Sequence, residues 1–324
     1  MGVFALRIQY CPSTGTPNTD LWSIPPRTQA LVGLAFAIAF STGPALGAYL
    51  ASKDFTVFFP EYESWGLTPF SFPAAVALAL VAAETVYLYV FLEETAWGAV
   101  RASAAVEPEQ HEDGPETSVP SRLRNLQSLN WAHFLFVFIF SGMEFTFIFL
   151  TYDILDFTNA QQGTLLAYIG LLNAAFQGGY VRRQRGSGEK RLVIAGVASC
   201  ATGLGLTAAL ALQSRPQLGV LYAAASFLAF SSATVVTGLT ALASVQCDGR
   251  KSERRLARGR ALGKFRSVGQ LGRAAGPIAA CVLYWWGNAA LCYLAGTLAM
   301  CAVLLVCEKH VVGPSPTPKK AKAG

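Results

Sequence analysis

The sequence has few charged residues for its length. Only 14% of its 324 residues are Asp, Glu, Lys or Arg, whereas a soluble globular domain carries about 25%. Hydrophobic residues reach 53% of the chain, and the mean hydropathy is +0.40. This balance excludes an ordinary soluble domain and favours a protein that is embedded in a membrane.

Residues that could hold a metal or carry out catalysis are scarce and scattered. The three histidines do not cluster, and the seven cysteines form no CxxC pair of the kind that holds zinc. There is no HExxH motif, no GxxxxGK[ST] phosphate loop and no GxSxG nucleophile turn. The sequence therefore predicts no enzyme activity, no metal site and no cofactor.

Eight long apolar segments are what the chain does contain. Each has about 19 to 28 residues, which is enough for a helix to cross a hydrocarbon core of about 30 Å. Lipid offers the backbone no hydrogen-bond partners, so such segments span as helices. The fold class predicted is an all-α polytopic bundle of eight transmembrane helices. The segments are residues 30–51, 72–92, 131–152, 163–181, 192–212, 218–245, 262–286 and 289–307.

The basic residues predict the orientation of the bundle. Of the 25 Lys and Arg residues, only Lys53 and Arg215 lie in the gaps after the first, third, fifth and seventh segments. Because cytoplasmic loops are enriched in Lys and Arg, both termini and the alternate gaps are predicted to be cytoplasmic. Loop topology also accounts for the net charge of +6, and nucleic acid is not an expected partner. The choice between plasma membrane and endomembrane stays open.

Composition divides the chain into five parts. Residues 1–27 are polar and are predicted to form an unstructured leader, followed by two helices within residues 28–92. The next stretch is rich in Pro, Glu and Ser and lacks apolar anchors, which favours disorder. Residues 93–130 are therefore predicted to be a disordered cytoplasmic linker. Residues 131–308 are predicted to form a six-helix bundle, and residues 309–324 a disordered cytoplasmic tail.

The first and seventh segments share a short repeat. Residues 39–48 read AFSTGPALGA and residues 272–281 read GRAAGPIAAC, so Gly43-Pro44 aligns with Gly276-Pro277. A Gly-Pro step inside a helix permits a bend. Small residues such as Gly272 and Gly276 at four-residue spacing allow close helix contact. A repeat six helices apart, in the same orientation, is typical of the two halves of a transporter.

These motifs resemble those of the major facilitator superfamily. Gly43, Pro44 and Gly47 are similar to its motif C, and this likeness places the eight helices at family positions five to twelve. Residues 178–191, GGYVRRQRGSGEKR, resemble a copy of motif A through Gly178, Arg183 and Arg191. The aspartate usual in that motif is absent, with Arg182 at its place.

Three further stretches are similar to the eukaryotic tetracycline-transporter-like members of that superfamily: residues 140–151, 161–183 and 266–277. The resemblance implies alternating-access export of organic anions or drug-like molecules, coupled to protons. The first four helices of the family have no counterpart. We therefore expect a truncated form of a twelve-helix transporter, or an eight-helix form that needs a partner chain. The alternative function is a non-transporting membrane protein that binds or regulates a partner.

Polar residues inside the segments are the candidates for contact with substrate or protons, because charges in lipid are costly and often functional. Glu144 is a candidate proton or cation site, or else a structural acid bonded to a neighbouring helix. Arg273 could pair with an acid, hold an organic anion, or extend to the cytoplasmic surface. Asn173 and Gln177, four residues apart, are candidate substrate contacts or helix–helix hydrogen bonds.

Overall fold

The computed structural model describes residues 71–92, 119–183, 188–247, 256 and 258–310, together with scattered residues between 35 and 50. All regular structure in these residues is helical, which confirms the all-α fold class for the part described. The chain divides into two compact units: residues 1–12 with 46–118, and residues 13–45 with 119–324.

Helix α1, Ser71–Phe91, is the long helix of the first unit. It matches the predicted apolar segment to within one residue at each end, and Glu84 near its middle is exposed. The segment predicted at residues 30–51 is described only in part. Gly43 and Gly47 are helical there, whereas Pro44 lies outside the described residues.

Six helices make up the described core of the second unit. They are α2 (Val119–Leu155), α3 (Asn159–Ala175), α4 (Glu189–Ala211), α5 (Leu218–Gln246), α6 (Arg258–Trp286) and α7 (Ala289–His310). Helix α2 packs mainly against α6, while α4 packs against both α5 and α7. Helix α3 packs against α5, which also contacts α2. Each of the six apolar segments predicted from residue 131 onward therefore corresponds to one of these six helices.

The core of this unit is built from large apolar side chains that face one another across the helices. Phe136, Leu204, Leu239, Phe265 and Tyr293 are each at most 1% exposed. Membrane helices gain little from hydrophobic burial against one another, because lipid is equally apolar. Close packing and hydrogen bonds between helices must therefore hold this unit together.

Helix α2 begins earlier than the apolar segment predicted from residue 131. It starts at Val119, so the last part of the linker predicted at residues 93–130 is helical. The reason is amphipathic packing: Leu126 and Leu129 are buried and three residues apart, so they lie on one helix face. Residues 93–118 lie outside the described part of the chain.

Helix α3 has a well-defined start and an irregular end. The Thr158 hydroxyl accepts from the backbone N–H of Gln161, and the Gln161 side chain accepts from the backbone N–H of Thr158. This reciprocal capping box fixes where the helix begins. After Ala175 the chain continues as a π-helical segment, Phe176–Tyr180, and then as a 3₁₀ turn, Val181–Arg183. A π segment within a helix is frequently associated with a functional site.

Five of the described helices are long and apolar enough to cross a membrane, namely α1, α2, α4, α5 and α7. The α-helical part of α3 has 17 residues, and α6 is long but carries five basic residues. The count of eight spanning helices is thus not confirmed within the described residues. Long apolar helices in this number are characteristic of an integral, multi-pass membrane protein.

Candidate functional site

Two of the predicted site residues form an ion pair between α2 and α6. The Nη2 atom of Arg273 donates to the Oε2 atom of Glu144 at 3.5 Å. The Arg273 side chain is 46% exposed and that of Glu144 is 33% exposed, so the pair borders space that protein does not fill. The sequence singled out each residue separately, and the structure brings them together.

The pairing has a direct electrostatic reason. A charge within an apolar span is costly unless an opposite charge or hydrogen bonds accompany it. At 3.5 Å and an effective dielectric of about 20, the attraction amounts to about 5 kcal/mol. This is the gross attraction between the two groups, and desolvation of both offsets part of it. Of the partners that the sequence allowed for Arg273, the structure shows an acid of the neighbouring helix α2.

A small cavity lies beside this pair. It has a volume of about 40 Å³ and is formed by three helices, α2, α3 and α5. Glu144, Asn173 and Ser232 are its polar residues. Its apolar lining consists of Phe140, Phe147, Leu166, Ile169 and Leu228. The cavity thus joins two residues that the sequence predicted as site residues, Glu144 and Asn173.

Asn173 is buried but only partly satisfied by hydrogen bonds. Its side chain is 6% exposed, and its Nδ2 donates to the Ser232 hydroxyl at 3.1 Å. The Asn173 Oδ1 atom has no hydrogen-bond partner in the structure. Buried polar groups are nearly always paired, so an orphaned amide oxygen on a residue that lines a cavity calls for a ligand, a water or a moving partner.

Gln177 shares the buried environment of Asn173. It is 5% exposed, it lies within the π-helical segment, and its Oε1 atom also lacks a partner. The rings of Phe176 and Tyr180 from the same segment both contact Phe230 of α5. Both predicted amides are therefore buried, Asn173 on α3 and Gln177 on the π-helical segment that follows it. Their contact with a substrate stays a prediction.

The glycines predicted on α6 bring two helix backbones together. A Cβ atom at Gly276 would overlap the carbonyl oxygen of Phe138, and one at Gly272 would lie 2.8 Å from the carbonyl oxygen of Phe134. On the facing helix, a Cβ at Gly142 would lie 2.7 Å from the Gly276 carbonyl oxygen. Only glycine permits this approach. Gly272 and Gly276 thus lie where α6 approaches α2 closely, and Pro277 lies inside α6.

The residues assigned to the motif A-like loop lie where α3 ends and α4 begins. Gly178 is in the π segment, while Arg183 and Arg191 are exposed. Nearby, Lys190 donates to the backbone carbonyl of Glu308 at 3.0 Å, which ties the start of α4 to the end of α7. The structure does not bring these residues to the Glu144–Arg273 pair, and their conformational role stays a prediction.

Sequence reasoning missed a stacked pair that connects α2 and α6. His133 is 5% exposed, its ring stacks on Phe265 at 4.2 Å, and its Nδ1 lies 3.2 Å from the Phe265 carbonyl oxygen. A Cβ atom at Gly269 would overlap the His133 ring. The spacing of Gly269, Gly272 and Gly276 was the available signal, because such residues share one helix face.

A larger groove of about 480 Å³ lies between the π-helical segment, α4 and α5 but has few free polar groups. The Ser199 hydroxyl there already donates to the Phe227 carbonyl, and Thr202 donates to the Ala198 carbonyl. Ser226 likewise bonds to Tyr168 and to the Tyr222 carbonyl. The Glu144 cavity, with its ion pair and orphaned amide, is therefore the stronger candidate site.

These features define a class of protein. Long apolar helices and a charged pair between two helices describe an integral, multi-pass membrane protein. No family model matches the sequence.

Proteins of similar sequence share one description. Major facilitator superfamily domain-containing protein 10 of Mus musculus is 32% identical over 302 residues, which are 85% of this chain and 58% of that protein. The Homo sapiens protein of the same description is 31% identical over 298 residues, again 85% of this chain and 58% of the relative. The chain thus spans less than two thirds of the length of these relatives.

A solved structure agrees with the sequence relatives. The crystal structure of the human organic anion transporter MFSD10 (TETRAN) superimposes with a TM-score of 0.63 and 27% sequence identity. The match covers 87% of this chain and 63% of that one. The chain is therefore a homologue of major facilitator superfamily domain-containing protein 10, and the resemblance found in its motifs is confirmed.

Proposed function

We propose that the protein is a major facilitator-type secondary transporter that moves organic anions or drug-like molecules by alternating access, coupled to protons. The observation that carries the proposal is the ion pair between Glu144 of α2 and Arg273 of α6. The printed description of the solved relative as an organic anion transporter supports the substrate class. In this proposal the protein carries no enzyme activity.

The proposal assigns a role to each charged group. Arg273 holds the anionic group of the substrate, because a guanidinium offers paired donors that match a carboxylate. Glu144 is the counter-ion of Arg273 while the site is empty. A substrate carboxylate at the same distance gains an attraction to Arg273 similar to that of Glu144. Displacement of an ionised Glu144 would leave its charge unpaired, which is costly, so protonation of Glu144 favours the exchange.

The architecture that accompanies this function follows the sequence prediction. Eight helices at family positions five to twelve span the membrane, with both termini in the cytoplasm. Helices α2 to α7, residues 119–310, form the C-terminal bundle, and the helices within residues 28–92 belong to the other bundle. Gly43, Pro44 and Gly47 would be bending points that correspond to Gly272, Gly276 and Pro277.

The test is uptake of a labelled organic anion by proteoliposomes that contain this chain. R273Q should abolish uptake, since the anion loses its cation. R266Q is the matched control, because Arg266 is an exposed cation on the same helix, and it should retain most of the uptake. E144Q should retain anion exchange but lose its dependence on pH. Absence of uptake by the unmodified chain under every gradient would favour the non-transporting alternative.

A further inference from the structure

Glu144 faces two different environments. On one side lies the Arg273 guanidinium, with which the ionised carboxylate forms its ion pair. On the other side lies the cavity that Glu144 shares with Asn173 and Ser232. An ionised carboxylate only accepts hydrogen bonds, whereas a protonated one also donates through its O–H group. The two forms of this side chain therefore need different partners.

The cavity supplies an unused acceptor for the protonated form. The Oδ1 atom of Asn173 is buried, has no partner, and can only accept. The Nδ2 atom of the same amide donates to the Ser232 hydroxyl. Because Asn173 lines the same cavity as Glu144, its unused acceptor is suited to receive an O–H donor from the carboxyl group.

The size of the cavity decides what enters it. A water molecule needs about 10–15 Å³ of such space, whereas pockets for small organic ligands run from about 300 Å³ upward. At about 40 Å³, the cavity admits the moving carboxyl group and one or two waters. An organic anion of the proposed substrate class does not fit here in this conformation.

We propose that Asn173 is the positioning residue for the protonated form of Glu144. When Glu144 takes up a proton, the neutral carboxyl group leaves Arg273 and donates its O–H to Asn173 Oδ1, directly or through one water. Arg273 is then free to hold the anion of the substrate. This inference rests on the proposed function, in which Arg273 is the anion site, and adds the residue that links proton uptake to its release.

The charged and titratable groups around Glu144 are few in the described part of the chain. Helix α6 contributes Arg273, while the cavity linings of α3 and α5 contribute the neutral residues Asn173 and Ser232. The hydroxyl of Tyr293 on α7 is already bonded to Thr146 and to the Met143 carbonyl of α2. Among these groups, Glu144 is therefore the one that takes up the proton, and the new O–H bond forms at one of its carboxylate oxygens.

The experiment is infrared difference spectroscopy of the full chain in lipid nanodiscs during a pH titration. The carbonyl stretch of a protonated carboxyl group should appear at low pH and be absent from E144Q, which assigns the band to Glu144. In N173L the band should move to higher frequency, because the carboxyl group has lost its hydrogen-bond acceptor. The matched control is S232A, which removes the Nδ2 partner but keeps Oδ1, and its band should stay near the wild-type position.

Several outcomes would overturn the inference. A band at the same frequency in N173L as in the wild type would mean that Asn173 is not the partner. A shift of equal size in S232A would mean that general repacking causes it. If N173L does not fold, N173A removes the amide without adding another side-chain acceptor and should give the same shift.

The spectrum separates this inference from the proposed function. Failure of anion uptake with an intact, Asn173-dependent band would contradict transport but support the proton site. Anion uptake together with a carboxyl band whose frequency is the same in N173L and in the wild type would support transport and contradict the positioning role.

Discussion

Replacement of Gly276 by alanine tests whether direct backbone contact holds α2 and α6 together. Real Cβ atoms essentially never come within 3.0 Å of another heavy atom. The new methyl group would overlap the Phe138 carbonyl oxygen and lie 2.6 Å from the Ser141 hydroxyl oxygen. A backbone carbonyl in the middle of a helix cannot turn aside as a long side chain can, so the two helices have to move apart.

The control is Gly205 of α4, where a Cβ atom would make an ordinary contact of 3.7 Å with Thr297. Both substitutions gain roughly 0.5–1 kcal/mol because alanine is a better helix former than glycine. Their difference therefore isolates the helix–helix contact. Overpacking of a well-packed interior costs roughly 1–3 kcal/mol, and we expect G276A to be less stable than G205A by that amount.

The assay is the fraction of monodisperse protein that remains in detergent after heating over a series of temperatures. For a unit of this size, each kcal/mol corresponds to roughly 2–4 °C in the unfolding midpoint. G205A should unfold at or slightly above the wild-type temperature and G276A clearly below it. Equal midpoints for the two variants would refute the claim that glycine is required at this contact.

Two further substitutions test single hydrogen bonds that fix helix ends. T158A removes the N-cap of α3 and should cost about 1 kcal/mol; faster hydrogen exchange at the backbone N–H of Gln161 would report it, and unchanged exchange would contradict it. Y284F removes the 2.7 Å hydrogen bond to Asp153 between α6 and α2. It should lower the unfolding midpoint by an amount equivalent to about 1 kcal/mol, because water can replace the partner at the exposed Asp153, and no change would speak against that bond.

The helices of the second unit could be predicted because the hydropathy pattern that causes them is visible in the sequence. Apolar runs of spanning length, separated by polar residues, predict α5 at residues 218–245 against the observed Leu218–Gln246. The start of α2 could not be found in this way. Its first turns, from Val119, are polar on average, and they are helical because Leu126 and Leu129 meet the rest of the unit.

The site could be predicted residue by residue but not as an arrangement. A charge within an apolar run is visible in the sequence, which is why Glu144 and Arg273 were candidates. That they are partners depends on the rotation of α2 relative to α6, and no local pattern encodes this rotation. The unpaired Oδ1 atom of Asn173 is likewise visible only in the packed structure, where α3 contacts α5 and the amide nitrogen donates to Ser232.

The glycine contact between α2 and α6 constrains how the Glu144–Arg273 pair can be opened. Gly142 and Gly276 meet backbone to backbone, two residues from Glu144 and three from Arg273. Because α2 and α6 are in direct contact at this point, they move together. Tilting of the bundle then moves both charges without separating them. Such tilting therefore leaves the Glu144–Arg273 pair closed.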